Sequence, residues 1–216
     1  MAPARVPAAL TELPRTIGSG ARSSIRSVIF SESNLPGAHL VELEPRGDHR
    51  GFNARAWCRQ EMTDAGIDSE MVQANVLVNP HRGTLRGLHF QHPPHTEAKL
   101  VRVTHGAIYD VVVDLRAESP TFGQWAGFEL RRDPYRALYV PERFAHGLLT
   151  LEDDTEVTYM VSSFYAPGHE GGLRHDDPAL GIEWPPAVRL ISDKDRSWPD
   201  FDPATHGLRE PVEAAP

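Results

Sequence analysis

Arg86, His89 and Lys99 lie in the stretch Gly83-Thr-Leu-Arg-Gly-Leu-His-Phe-Gln-His-Pro-Pro-His-Thr-Glu-Ala-Lys99, which reads as strand, turn, strand. Together their types suit holding a phosphorylated, carbonyl-bearing molecule and moving a proton on it. Arginine offers a planar fork that grips phosphate through two N–H bonds. Histidine titrates near neutrality, and lysine can stand beside a developing enolate oxygen as a point charge. A basic surface hairpin would carry the same residues, so this stretch alone does not decide between chemistry and solvation.

The elements that must position these residues are short. From Val28 onward Gly, Pro and Asp turns recur at close intervals, which favours strands over long helices. In Leu100-Val-Arg-Val-Thr104, Val101 and Val103 share one face and Arg102 and Thr104 the other. In Ile108–Leu115, Tyr109, Val111, Val113 and Leu115 share a face; Ile108, Asp110, Val112 and Asp114 form the opposite one, mixed enough to line a polar cavity inside a sandwich. Further strands are expected at 127–130, 137–140, 147–151 and 156–161. In the last of these, Val157, Tyr159 and Val161 are in phase, which fits either a core face or a site wall. The one helix expected is Arg59–Ala65, stopped by Gly66. No internal repeat or interdomain linker is visible. Many short strands with turn punctuation indicate an all-β antiparallel sandwich or barrel.

Composition narrows the function classes. The 216 residues suit one domain with a substantial core. Lys and Arg total 22 against 30 Asp and Glu, a net charge of −8, which argues against a nucleic-acid partner because counterion release needs a basic surface. A local basic pocket for a diphosphate is still compatible with that balance. Cys58 is the single cysteine, so an internal disulfide is impossible and a reducing, cytoplasmic compartment is expected. It is read as a half-buried structural thiol. No stretch has the apolar length of a membrane span. Residues 1–27, rich in Ala, Pro, Arg, Ser and Gly, are expected to be a disordered leader, 28–201 the domain, and 202–216 a loose tail.

The stretch 83–99 resembles the signature of the dTDP-4-dehydrorhamnose 3,5-epimerase family, and further matches follow in family order. These are Gly106–Arg116, Ser119–Trp125 and Tyr139-Val-Pro-Glu-Arg-Phe-Ala-His-Gly147, then Tyr159, Tyr165-Ala-Pro167, Asp176-Asp-Pro178, Gly181–Pro185 and Ser192-Asp-Lys-Asp195. The resemblance covers about residues 28–201. It implies a cupin-type jelly roll with a few short helices and a site inside the barrel mouth. It also implies a cofactor-free enzyme acting at C3, C5 or both of a nucleotide-diphospho-4-keto-6-deoxyhexose, and a homodimer in which an N-terminal strand of one subunit reaches the partner's site.

By that resemblance His89 is the base, Asp195 the carboxylate that orients it, Tyr159 the acid on the opposite face, and Lys99 the charge beside the C4 oxygen. Arg50, Gln73, Asn75, Arg86, His146 and Tyr165 fall on positions that bind the diphosphate or shape the sugar pocket. The residues alone leave Asp110 and Asp114 as rivals to Asp195. The chain departs from the family in Asp48-His-Arg-Gly-Phe-Asn-Ala-Arg55, where Asn53 replaces an aromatic and Arg55 an acid. That departure bears on the nucleobase more than on the chemistry. Two alternatives stand beside this reading. One is a metal-dependent cupin isomerase or dioxygenase using His89, His92 or His146. Against it, the His-x-His pair of metal cupins is missing, Pro93 and Pro94 break any helix, and strand residues three apart face opposite sides. The other is a sugar-nucleotide binding module without turnover.

Overall fold

Alternating strands can bury a face only by pairing, and the computed structural model of the chain pairs them into two stacked sheets. The structure describes residues 28–67, 70–185 and 187–210. The elements in chain order are β1 (Val28–Glu32), β2 (His39–Leu43), β3 (Arg46–Asp48), β4 (Gly51–Asn53), α1 (Arg59–Asp64), β5 (Gln73–Asn79), β6 (Thr84–Gln91), β7 (Lys99–His105) and β8 (Ala107–Asp114). They continue with β9 (Trp125–Arg131), β10 (Arg136–Val140), β11 (Phe144–Thr150), β12 (Thr155–Val161), β13 (Glu170–Gly172), β14 (Leu190–Ile191) and α2 (Asp193–Arg196). The first sheet runs β1-β2-β10-β7-β12-β5 and the second β13-β6-β11-β8-β9, every neighbour antiparallel. β14 joins β6 in parallel, and β3–β4 form a separate hairpin. This is the all-β, cupin-type jelly-roll sandwich expected from the sequence.

Val101, Val103, Leu138 and Val157 of the first sheet meet Ile108, Val112, Leu130 and Leu148 of the second in one core. The outer face of the first sheet is capped by α1 and its flanks, where Met62 and Ile67 pack on Val41, Leu100 and Ala137. α1 ends at Ala65, and Gly66 follows with φ +79°, a left-handed conformation that glycine tolerates without strain. Cys58, half-buried, is the N-cap residue of this helix. The outer face of the second sheet lies under the C-terminal segment, with Leu173, Leu180 and Leu208 against Leu88, Val111, Val113 and Leu115. β8 is therefore buried on both faces, which is why Val111-Val112-Val113 breaks the alternation.

The loose tail expected from residue 202 is not what its described part forms. Leu208 is buried, donates its N–H to the Leu115 carbonyl at 2.7 Å, and bridges Arg116. One leucine in a Pro- and Glu-bearing stretch has no periodicity, so nothing local announces that it docks. Residues 1–27, the expected leader, and 211–216 lie outside the described residues. Among the described residues no helix is long and apolar enough to cross a membrane.

Candidate active site

A cavity of about 590 Å³ opens between the two sheets. Gln73, Asn75, Lys99 and Tyr159 line it from the first sheet, and Arg86, His89 and His146 from the second. Tyr165, Lys194 and Asp195 also line it. Nine of the ten expected site residues thus meet in one place; Arg50 does not. It sits at the β3–β4 turn with its side chain 78% exposed and paired to Asp48 at 2.6 Å. His92 and His95 are also outside the cavity lining: His92 packs edge-on to Phe90 and His95 lies against His169. Among the described residues no group of three His, Cys, Asp or Glu side chains is placed to hold a metal ion.

Arg86 and His89 are three apart, yet both reach the cavity. Opposite them, His146 pairs with His89 and Leu148 with Arg86, so Gly87 and Leu88 on β6 face the single residue Gly147 on β11. This one-residue bulge restores the phase that a regular strand would lose. It needs glycine. Gly87 has φ +113°, and a Cβ there would stand 2.6 Å from the Gly147 Cα. The Gly87 N–H also donates to Asp195 Oδ2 at 3.2 Å.

The three aspartates differ in their partners. His89 Nε2 donates to Asp195 Oδ1 at 2.6 Å. Asp195 is seated by the first turn of α2, where its own N–H donates to the Ser192 hydroxyl at 3.0 Å. Burial works to raise its carboxyl, but the bond and charge of His89, with the Gly87 N–H and Ser192, outweigh burial and hold it below the ordinary aspartate value. Asp110 instead accepts from His146 Nε2 at 2.6 Å, forming a second His–Asp pair whose Asp110 Oδ2 is buried without a hydrogen-bond partner among the described residues. Asp114 is structural: Arg116, Ser119 and Thr121 all donate to it, tying down the loop after β8.

Lys99 is nearly buried and pairs with Glu97 at 3.1 Å. Across from His89, Tyr159 is half-buried, and its phenol is raised above the usual value first by burial and then by the charge of Glu97, while Arg86 works the other way. Arg86 Nε donates to Asn79 Oδ1 at 2.7 Å, and Gln73 donates to Asn75 at 2.9 Å. At the mouth Glu170 pairs with Lys194, whose ammonium stands 5.6 Å from the Trp198 ring centre. The Tyr165 phenol is raised chiefly by its bond to Glu170.

Sequence reasoning assigned no role to Glu97, Gln91, Glu170 or Trp198. For the first two a signal existed. Glu97 is two residues before Lys99 and Gln91 two after His89, the spacing that shares a strand face. Glu170 and Trp198 carry no such mark, because the segments holding them reach the cavity only through the tertiary fold.

A sequence model of the dTDP-4-dehydrorhamnose 3,5-epimerase family matches residues 32–203. A dTDP-4-dehydrorhamnose 3,5-epimerase of Sinorhizobium fredii is 39% identical over 184 residues, covering 83% of this chain and 92% of that relative. A crystal structure of dTDP-4-dehydrorhamnose 3,5-epimerase from Bacillus anthracis with TDP and PPi bound superposes with TM-score 0.77 at 43% identity, covering 81% of this chain and 99% of that one. ChmJ, a 3'-monoepimerase of Streptomyces bikiniensis in complex with dTDP-quinovose, superposes with TM-score 0.74 at 36% identity, covering 82% of this chain and 91% of that one.

Proposed function

Since the chain belongs to the dTDP-4-dehydrorhamnose 3,5-epimerase family, we propose that it inverts C3, C5 or both in a nucleotide-diphospho-4-keto-6-deoxyhexose of the dTDP type. The observation that carries this reading is the placement of two proton-handling groups on opposite walls: His89 on β6 of one sheet and Tyr159 on β12 of the other, with the cavity between. Inversion requires a proton to leave one face of a carbon and another to arrive on the opposite face.

In this reading His89 removes the proton from the carbon beside the C4 ketone. The C–H electron pair becomes the enolate double bond, and charge moves to the carbonyl oxygen, where the Lys99 ammonium stabilises it. Asp195 stabilises the imidazolium so formed. Tyr159 then delivers its proton to the other face, and the phenolate and imidazolium return to their starting forms by exchange with solvent. Composition is unchanged, and no cofactor enters the scheme. Arg86, Gln73, Asn75, His146 and Tyr165 hold the sugar and diphosphate.

Arg50 belongs to this scheme only if a second copy supplies it. The proposal therefore includes a homodimer in which the β3–β4 hairpin of one subunit completes the site of its partner. The exposure of Arg50 and of Val76 and Val78 on the edge strand β5 supports that arrangement. Arg55, at the acidic position of the family loop, is turned to Glu61 at 2.6 Å, and Phe52 packs against Tyr135. These contacts make the nucleobase the part of the substrate most open to change. A cytoplasmic setting fits a sugar-nucleotide substrate and a lone half-buried thiol.

The test is incubation with dTDP-4-keto-6-deoxyglucose in deuterated water, with mass spectrometry and proton NMR of the recovered sugar. Deuterium at C3, C5 or both, with inversion, is expected and identifies the centres reached. A folded protein that binds the sugar nucleotide and exchanges nothing would sink the catalytic reading in favour of a binding module.

A further inference from the structure

Glu97 is absent from the scheme above, although it lines the same cavity as Lys99 and Tyr159. Its carboxylate is braced. Oε1 stands 3.1 Å from the Lys99 ammonium, and Oε2 accepts from Gln91 Nε2 at 3.3 Å. Gln91, itself buried, accepts from the Ala166 N–H at 2.8 Å and donates to the Phe164 carbonyl at 3.4 Å, the two residues that flank Tyr165. One chain of contacts thus runs from the lysine through Glu97 and Gln91 to the loop bearing Tyr165.

The charge balance of the cavity gives that chain a purpose. Arg86 and His89 face Tyr159 from β6, Lys99 from β7 and His146 from β11, with Glu97 in the segment before β7. At the mouth are Tyr165, Glu170, Lys194 and Asp195. Asp195 is committed to His89 and Glu170 to Lys194, while His146 is held by the buried Asp110. Arg86 is met by the neutral amide of Asn79. Glu97 is the cavity carboxylate left to offset Arg86 and Lys99.

We propose that Glu97 is a positioning residue of the epimerase: braced by Gln91, it anchors the Lys99 ammonium and balances the cations that face Tyr159, so that Tyr159 enters the reaction as an acid. This rests on the epimerase reading. Uncompensated cations beside a phenol favour its phenolate and so lower the pH at which it loses the proton it must donate. In keeping with this, the Glu97 charge acts on Tyr159 in the direction that retains the proton, against Arg86.

The experiment is steady-state kinetics across pH on dTDP-4-keto-6-deoxyglucose for the wild type, E97Q and E97D, with thermal melting of each. E97Q removes the charge and keeps the shape. Its kcat is expected to fall roughly tenfold with little change in KM, and the alkaline limb of its kcat profile to move to lower pH. The sign follows from Tyr159 acting in its protonated form. Activity is lost as pH rises through the phenol's titration, and removing Glu97 takes away one of the groups that hold that titration high. E97D keeps the charge but draws it back from Lys99, so its kcat falls while the alkaline limb keeps the wild-type position. That pattern tests the proposal even if E97Q fails to fold. An E97Q limb that stays in place, an unchanged or faster kcat, or a limb that moves in E97D overturns the role of Glu97 alone. A wild type that exchanges no carbon-bound proton overturns the epimerase reading, and this role with it.

Discussion

Asp195 and Asp110 each hold a histidine at 2.6 Å, but the two rings are not equally open: the His89 side chain is 43% exposed and that of His146 11%. A base must touch the carbon it deprotonates, so the open ring suits the chemistry and the enclosed one suits a fixed polar wall. In both pairs Nε2 is the nitrogen bound to aspartate, so in the proposed scheme the base is the other ring nitrogen of His89. Tyr159 fits the complementary role because burial and the charge of Glu97 push the titration of its phenol upward. If His89 alone makes the enolate, then Tyr159→Phe separates exchange from inversion. The variant is expected to place solvent deuterium at the reacting carbon with its original stereochemistry, since the imidazolium can return only to its own face. Inverted product should fall by roughly 10²- to 10⁴-fold, the usual worth of a positioned acid. NMR of sugar recovered from deuterated water reads both; inversion at the wild-type rate would remove Tyr159 from the mechanism.

The bulge in β6 is the element that makes these residues one site. A strand alternates faces, so Arg86 and His89 would point apart without the extra residue at Gly87–Leu88. Gly87→Ala is expected to cost about 2–4 kcal/mol, combining a left-handed conformation with a Cβ driven into the facing backbone. It should also lower kcat, because the Gly87 N–H seats Asp195. Urea unfolding of the variant beside its activity checks both, and a loss under about 0.5 kcal/mol would show that the bulge relaxes freely. The same element marks a limit on what could be read from the sequence. Alternation in Leu100–Thr104 and in Glu156–Val161 predicts the strands, their buried faces and the phase of Tyr159, and each is found there. A bulge is a relation between two strands, however, and β6 by itself shows only a glycine. The choice among Asp195, Asp110 and Asp114 is of the same kind. All three are acids in polar contexts; Asp114 finds its partners within its own loop, whereas Asp110 and Asp195 meet their histidines across 36 and 106 residues of sequence.

At the scale of the whole molecule, the two sheets and their covers give one chain nearly everything the proposed chemistry uses, and the exception is informative. The C-terminal segment closes the outside of the second sheet and α1 half of the first, while β5 keeps an uncovered apolar edge and the hairpin with Arg50 stands in solvent. If Arg50 serves the proposed site, it does so in a second subunit, because its own cavity lies out of its reach, and complementation can decide it. In a dimer that shares its sites, each cavity takes His89 from one chain and Arg50 from the other. Homodimers of His89→Ala are expected to be inactive, and those of Arg50→Ala to be weak through a raised KM. When the two variants are unfolded together, refolded and allowed to reassort, about half of the dimers are mixed, and each mixed dimer holds one cavity with both native residues and one with neither. Activity at low substrate should therefore rise to about a quarter of the wild type. If Arg50 serves its own chain, every cavity in the mixture carries one defect and mixing restores nothing. Light scattering on the same samples separates that outcome from a chain that stays monomeric, for which the hairpin would have no partner site to complete.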